Sequence, residues 1–221
     1  GTRMGELTEH IPKPLLKIGN KPILEYIMDH YAKYDIKNFV LCLGYKGDKI
    51  RNYFLENPSE YNIEMVDTGE DSTKSKRLLQ IKDRLDEEFL VSYGDDLADV
   101  NISKLIDFHR KQGKIVTLTA VKLNSPYGSL KFDEFDPLIV SNFEEKPIMK
   151  DWINGGYFLF NKKIFDYIEE ADDLEKEVFE KIVGEKQIAA FRHAGFWKSV
   201  STLNDFNDLN KMLLRGEIGN I

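Results

Sequence analysis

A chain of 221 residues, 42% hydrophobic and 31% charged, suits one soluble globular domain with a sizeable core. Its net charge of −7 argues against a nucleic-acid surface, which needs clustered Lys and Arg, yet leaves room for a local basic pocket that takes phosphates. No run is long and apolar enough for a membrane span and no signal-peptide pattern is present, so a cytoplasmic protein is expected.

Pro22 opens a stretch with Ile23, Ile27, Tyr31 and Tyr34 at steps of three and four, widened by Leu24 and Met28. This predicts an amphipathic helix with proline in its first turn. Residues 39–43 read as a buried strand closed by Gly44, and Cys42 within it as a buried core thiol. As the single cysteine, it has no partner for an intrachain disulfide. A short helix over 48–55, a strand at 63–66, a helix over 76–85 and a strand at 88–93 follow. Asn101 is placed to cap a helix carrying Ile102, Leu105, Ile106 and His109, which Gly113 stops. Residues 115–121 form another strand. Strands alternating with helices of this length imply right-handed βαβ units and a Rossmann-like α/β fold, its mostly parallel sheet covered by helices on both faces.

The second half changes character. Turn signals at Ser125-Pro126-Tyr127-Gly128, Asp136-Pro137 and Asn154-Gly155-Gly156 separate short strands at 127–132, 138–143 and 157–161. These predict a small antiparallel subdomain beside the main sheet. The end returns to helix, strand and helix, with 203–214 amphipathic. The chain opens at Gly1-Thr2-Arg3 as though inside a glycine-bearing loop, so a preceding strand is expected in the intact protein.

Several segments carry chemistry. Gly1-Thr2-Arg3 and Pro12-Lys13-Pro14 place two cations in one loop region. Backbone N–H groups of a glycine turn bind anions, and the flanking prolines fix where Lys13 points. Tyr93-Gly94-Asp95-Asp96 follows an apolar strand, where ligands of open α/β sheets bind, and Asp95 is placed to hold Mg²⁺. Asp99 caps or precedes the next helix. Glu145 and Lys146, at the end of a strand, suit sugar hydroxyls and a phosphate, and Asn154-Gly155-Gly156 allows a ligand close to the backbone. His10, His30, His109 and His193 lack metal-ligand spacing and read as structural or surface residues. No G-x-G-x-x-G follows a strand, which argues against a nicotinamide-dependent oxidoreductase.

In order, Gly1-Thr2-Arg3, Pro12-Lys13-Pro14, residues 19–24, Gly44-Tyr45-Lys46-Gly47, Val66-Asp67-Thr68-Gly69, Tyr93-Gly94-Asp95, residues 143–147, residues 153–156 and Gly195-Phe196-Trp197 resemble the sugar-1-phosphate nucleotidyltransferase family. The likeness spans essentially the whole chain and is greatest to the glucose-1-phosphate cytidylyltransferase branch. It implies a nucleotide-diphospho-sugar transferase fold, with residues 1–122 as the nucleotide-binding part and 123–221 as the sugar-binding and C-terminal part. The substrates would be a nucleoside triphosphate, CTP, and a sugar 1-phosphate, glucose 1-phosphate, with Mg²⁺ as cofactor and no nucleic acid or membrane as partner. Family members are often homo-oligomers.

The resemblance also implies residue roles. Arg3 and Lys13 would grip the triphosphate, Lys146 would meet the sugar phosphate, and Gly1, Thr2, Thr68, Gly69, Arg77 and Gly94 would line the nucleotide. Tyr127, Gly128, Glu145, Asn154 and Gly155 would line the sugar, and Asp95 would hold the metal. Two departures bear on activity. The base-side segment reads Lys74-Ser75-Lys76-Arg77 where the family has small glycines before its arginine. Ser201 stands where the family commonly has a second metal-binding Asp, and the alternative it raises is a homologue that binds nucleotide sugar without turnover.

Overall fold

The apolar periodicities fold largely as their spacing requires. In the computed structural model, which describes residues 6–218, α1 (Glu6–His10) is followed by a single 3-10 turn at Lys13–Leu15 and a minimal hairpin, β1 (Lys17–Ile18) with β2 (Lys21–Pro22). Pro22 then caps α2 (Ile23–Ala32), whose Ile23, Leu24, Ile27, Met28 and Tyr31 are buried. The expected βαβ unit is present. β3 (Asn38–Leu43) crosses through α3 (Gly47–Glu56) to β4 (Asn62–Asp67) and pairs with it in parallel, Leu43 opposite Asp67. α4 (Lys74–Ile81) begins earlier than its apolar pattern suggested, because the Thr73 hydroxyl accepts from the Lys76 N–H and caps it; a 3-10 turn over Lys82–Arg84 ends it.

Four strands form the central sheet: β5 (Glu88–Ser92), β7 (Val116–Val121), β10 (Ile153–Asn161) and β11 (Ile188–Arg192), in the order β11-β7-β10-β5. β10 runs antiparallel to both neighbours and β11 parallel to β7, so three strands share one direction and one is reversed. Burial of Tyr157, Phe158, Leu159 and Phe160 along β10 is what a strand covered on both faces needs. One face packs under α2, α5 (Ile102–Gln112) and α7 (Leu203–Leu214); the other carries α6 (Phe179–Gly184) and the turns before it. The Asn101 side chain caps α5 by accepting from the Lys104 N–H, and Gly113 ends it at φ +59°, both as expected.

Two further pairs complete the fold. β6 (Asp96–Ala98) and β12 (Trp197–Ser199) are antiparallel three-residue strands, Asp96 opposite Ser199. Such short segments show no period in sequence, so 96–98 read as loop. β8 (Ser129–Phe132) and β9 (Val140–Glu144) form a projecting antiparallel hairpin with every residue exposed; the third strand expected with them, 157–161, instead belongs to β10 of the central sheet, where its aromatic side chains are buried. No helix among the described residues is long and apolar enough to cross a membrane. Cys42 is half-buried rather than fully buried, and desolvation pushes its thiol up to about 11, away from the reactive thiolate.

Candidate active site

The Lys13 turn meets the Tyr93–Asp96 segment beyond the end of β5. Pro12 and Pro14 fix the turn that carries Lys13, and its Nζ reaches Asp95 Oδ2 at 3.1 Å across 82 residues of sequence. A Cβ on Gly94 would lie 3.1 Å from Pro14 Cγ, so the glycine lets the Lys13 turn settle on the strand end. Lys13 and Asp95 each stay partly open to solvent.

Asp96 turns into the protein and is only 5% exposed. At Gly156, φ is +74° and a Cβ would lie 2.0 Å from Asp96 Oδ2; the carboxylate fills the notch that a missing side chain leaves. Burial pushes the Asp96 carboxyl up to about 7; the Ser199 hydroxyl bonded to it opposes the rise, and the nearby Asp95 charge adds to it. Ser199 Oγ in turn lies 3.1 Å from Ser201 Oγ. A polar strip thus runs from Asp96 through Ser199 to Ser201. Sequence analysis gave Asp96 no role of its own; the one signal available was its adjacency to Asp95. Asp205 is committed elsewhere. Its Oδ2 accepts from the Ser201 and Thr202 N–H groups at 3.2 and 2.8 Å and closes the capping box of α7.

The flank beside β3 and β4 gathers Thr68, Gly69 and Arg77. The Thr68 hydroxyl donates to the Leu43 carbonyl at 2.7 Å. Arg77 Nη1 donates to the same carbonyl at 3.0 Å and to Thr68 Oγ1, and Nη2 to the Glu70 carbonyl at 3.1 Å. A Cβ on Gly44 would lie 2.5 Å from Arg77 Nη2, and Gly69 sits at φ +88°. Arg77 therefore stitches the ends of β3 and β4 together, and its donors are spent on the loop's own oxygens. Lys74, at the start of α4, pairs with Glu175 and lies over the Tyr93 ring, 4.2 Å from its centroid; the Tyr93 hydroxyl donates to the same Glu175.

On the opposite flank the Trp197 indole N–H donates to the Gly155 carbonyl at 2.8 Å. A Cβ on Gly155 would lie 2.9 Å from Val121 Cγ1. Asn154 Oδ1 accepts from the Gly156 N–H at 3.0 Å, and its side chain also meets the Tyr93 hydroxyl. Gly128 lies beneath Phe143 and Glu145, where a Cβ would meet the ring at 2.6 Å and Glu145 Oε2 at 3.1 Å. Tyr127, Glu145 and Lys146 are exposed on the hairpin, Lys146 at φ +48°. The structure thus joins Lys13 with Asp95, Thr68 with Arg77, and Asn154 with Tyr93. No ion pair links Lys146 to Asp95 among the described residues, and Gly1, Thr2 and Arg3 lie outside them. His30 and His193 bond to the Val100 and Phe196 carbonyls and His109 to the Thr117 hydroxyl, a structural use, and Asp99 lies 3.1 Å from His193 Nε2. No group of three or more His, Cys, Asp or Glu among the described residues is arranged to hold a metal.

The Lys13–Asp95 pair and the glycine notches lie beyond a strand end of a mixed α/β sheet, the place where such sheets bind ligands. Residues 1–216 match the model of the nucleotidyl transferase family, and the chain belongs to that family. It is 36% identical to a probable glucose-1-phosphate cytidylyltransferase of Bacillus subtilis, over 98% of this chain and 94% of the relative. It is 38% identical to a glucose-1-phosphate cytidylyltransferase of Salmonella typhi, over 93% and 89%. The crystal structure of HddC from Yersinia pseudotuberculosis shares the fold, with a TM-score of 0.74 at 23% identity over 96% and 95% of the two chains. The family and the fold class expected from the ordered motifs are both met.

Proposed function

We propose that this chain transfers a cytidylyl group from CTP to glucose 1-phosphate, giving a nucleotide sugar and pyrophosphate. The observation that carries the reading is the meeting of Lys13 and Asp95 at 3.1 Å beside the Asn154-Gly155-Gly156 notch. It is supported by the 36–38% identity to relatives named for that reaction over nearly their whole length.

The chemistry needs no protein nucleophile. A phosphate oxygen of the sugar phosphate forms a bond to the α-phosphorus of CTP. The bond from that phosphorus to the oxygen bridging it to the β-phosphorus breaks, and pyrophosphate leaves with the electron pair. The protein's task is to hold two polyanions in line and to offset their repulsion. Lys13 supplies positive charge at the triphosphate, and Arg3 is assigned the same role. Thr68, Gly69 and Gly94 line the nucleotide, with Arg77 shaping the wall that Thr68 and Gly44 share. The sugar lies against Tyr127, Gly128, Glu145, Asn154 and Gly155, and Lys146 reaches its phosphate from the hairpin.

Mg²⁺ fits this site through the chemistry of its donors: it favours carboxylate oxygen, retained water and substrate phosphate over a full protein cage. Asp95 would hold it, and when bound it would shield the phosphate–phosphate repulsion. Pyrophosphate release from the intact protein, screened over the four ribonucleoside triphosphates and a panel of sugar 1-phosphates with Mg²⁺, tests the reading. Fastest release with CTP and glucose 1-phosphate is expected, and no release with any pair refutes it.

Ser201 favours a second reading, nucleotide-sugar binding without turnover. A hydroxyl is a weaker Mg²⁺ ligand than a carboxylate, and Asp205 is already spent on the α7 cap. Calorimetric binding of CDP-glucose with no turnover, and activity gained by Ser201→Asp, is its signature; ordinary turnover by the unaltered chain disposes of it.

A further inference from the structure

We propose that Tyr93, held by Lys74 and Glu175, is a positioning residue for the sugar: its hydroxyl sets the Asn154 side-chain amide in the one orientation in which it meets a sugar hydroxyl. The inference rests on the nucleotidyltransferase reading above and deepens it, since it concerns how this chain's own residues hold the group assigned to the sugar.

Segments far apart in sequence converge on the Tyr93 hydroxyl. From the nucleotide side comes Lys74, at the first position of α4, in the segment that departs from the family's small glycines. Its Nζ pairs with Glu175 and lies over the Tyr93 ring, 4.2 Å from the centroid. From the second half of the chain comes Glu175. Asp173 Oδ1 accepts from the Glu175 and Lys176 N–H groups at 3.0 Å each, and Leu174 and Val178 are buried on either side, so the turn that presents the carboxylate is anchored. From the sheet comes Asn154, near the start of β10. Tyr93 itself is clamped. Its backbone N–H donates to the Gly156 carbonyl at 3.0 Å, and its ring packs on Phe158 with centroids 5.3 Å apart.

The hydrogens can point only one way. An ammonium group only donates and a carboxylate only accepts. One oxygen, Glu175 Oε1, accepts from both Lys74 and the Tyr93 hydroxyl. With its proton given to Glu175, the Tyr93 oxygen has only lone pairs left, so the Asn154 amide meets it with an N–H. The other end of the amide agrees, because Asn154 Oδ1 accepts from the Gly156 N–H at 3.0 Å. Both ends are thereby held, and the amide keeps one N–H and one lone pair for a ligand. A sugar hydroxyl, donor and acceptor at once, matches that pair; an ionised phosphate, which only accepts, matches half of it. Lys74 acts at the far end of this line by holding Glu175 in place, and bonds in such a chain strengthen one another.

Binding of CDP-glucose and of CDP, each measured by calorimetry on the full chain, gives the sugar's share of the affinity without relying on turnover. Tyr93→Phe, which keeps the ring and removes the hydroxyl, is expected to cut that share about tenfold, the worth of one hydrogen bond, with CDP affinity held within about twofold. In steady-state kinetics with CTP the same variant should raise the KM for glucose 1-phosphate about tenfold, with kcat within about threefold. Lys74→Met, at a half-exposed position, should reduce the sugar's share in the same direction by about threefold, and Lys74→Arg, which keeps the charge, should recover it. In the Tyr93→Phe background Lys74→Met should add nothing, since both act through one hydroxyl. A CDP-glucose to CDP affinity ratio in Tyr93→Phe within about twofold of the unaltered chain overturns the positioning role while the nucleotidyltransferase reading stands. Should Tyr93→Phe fail to fold, the Lys74 pair decides, and equal ratios in Lys74→Met and Lys74→Arg overturn it. Absence of both CTP and CDP-glucose binding by the unaltered chain overturns both readings.

Discussion

Gly156→Ala probes the most crowded point of the site, and its cost follows from two separable effects. The backbone sits at φ +74°, where any residue with a Cβ pays about 1–2 kcal/mol. The new methyl would also lie 2.0 Å from Asp96 Oδ2 and 3.1 Å from Tyr93 Cδ2. Two heavy atoms cannot share that distance, and Asp96 is too buried to swing into solvent, so its displacement adds about 1–3 kcal/mol of overpacking. The expected total is about 2–5 kcal/mol. A double-mutant cycle divides it. In an Asp96→Ala background the carboxylate is gone and only the backbone strain remains, so Gly156→Ala should cost about 1–2 kcal/mol, with a coupling of about 1–3 kcal/mol. Urea denaturation in EDTA, followed by the fluorescence of Trp152 and Trp197, measures all four proteins. Equal cost in both backgrounds, with coupling below about 0.5 kcal/mol, would show that Asp96 does not occupy the Gly156 notch.

Other perturbations test neighbouring parts of the argument. Lys13→Met removes the cation at Asp95 and should lower kcat/KM for the proposed transfer by about 10²–10³, the loss typical of one preorganised charge or donor at a phosphoryl or oxyanion centre; an unaffected rate would remove Lys13 from the site. Arg77→Met unties Leu43, Thr68 and Glu70 and should raise the KM for the nucleotide more than it lowers kcat, as steady-state kinetics would show. Thr202→Ala breaks the α7 capping box and should destabilise the fold by about 1 kcal/mol in denaturant melts.

Acid should weaken the fold through its buried histidines. Burial lowers the pKa of His30 and of His109 below the ordinary 6.5, so both stay neutral in the folded chain while the unfolded chain takes up protons. Their contribution is intact above pH 6.5 and is lost as the pH falls through 6.5 toward their folded values. Melts between pH 7.5 and 5 should show this decline, and His30→Gln should flatten it.

Much of the fold was written in local spacing. The steps of three and four from Ile23 to Tyr31, the cap at Asn101 and the stop at Gly113, and the apolar stretch of β3 each rest on interactions within a dozen residues, which a linear pattern records. The amphipathic run at Leu203–Leu214 matched its helix end to end. The reversed direction of β10 and the short β6–β12 pair were not legible, because strand partnership is decided by segments far apart and three residues carry no period.

The same division holds at the site. The residue types needed for phosphate chemistry were present and ordered along the chain, and Asp95 could be singled out by its position after a strand. Lys13 and Asp95 become neighbours only when the first turn docks on the end of β5. In the linear string Asp96 is set apart from Asp95 only by standing one residue further from the strand. Its burial, its place in the notch of Gly156 and its contact with Ser199 exist only because β10 and β12 close around β6. The sequence by itself determined which elements form and which chemical groups are at hand; which of two adjacent carboxylates faces Lys13 and which is buried against glycine was decided by packing, since charge and desolvation depend on distances that only the folded chain sets.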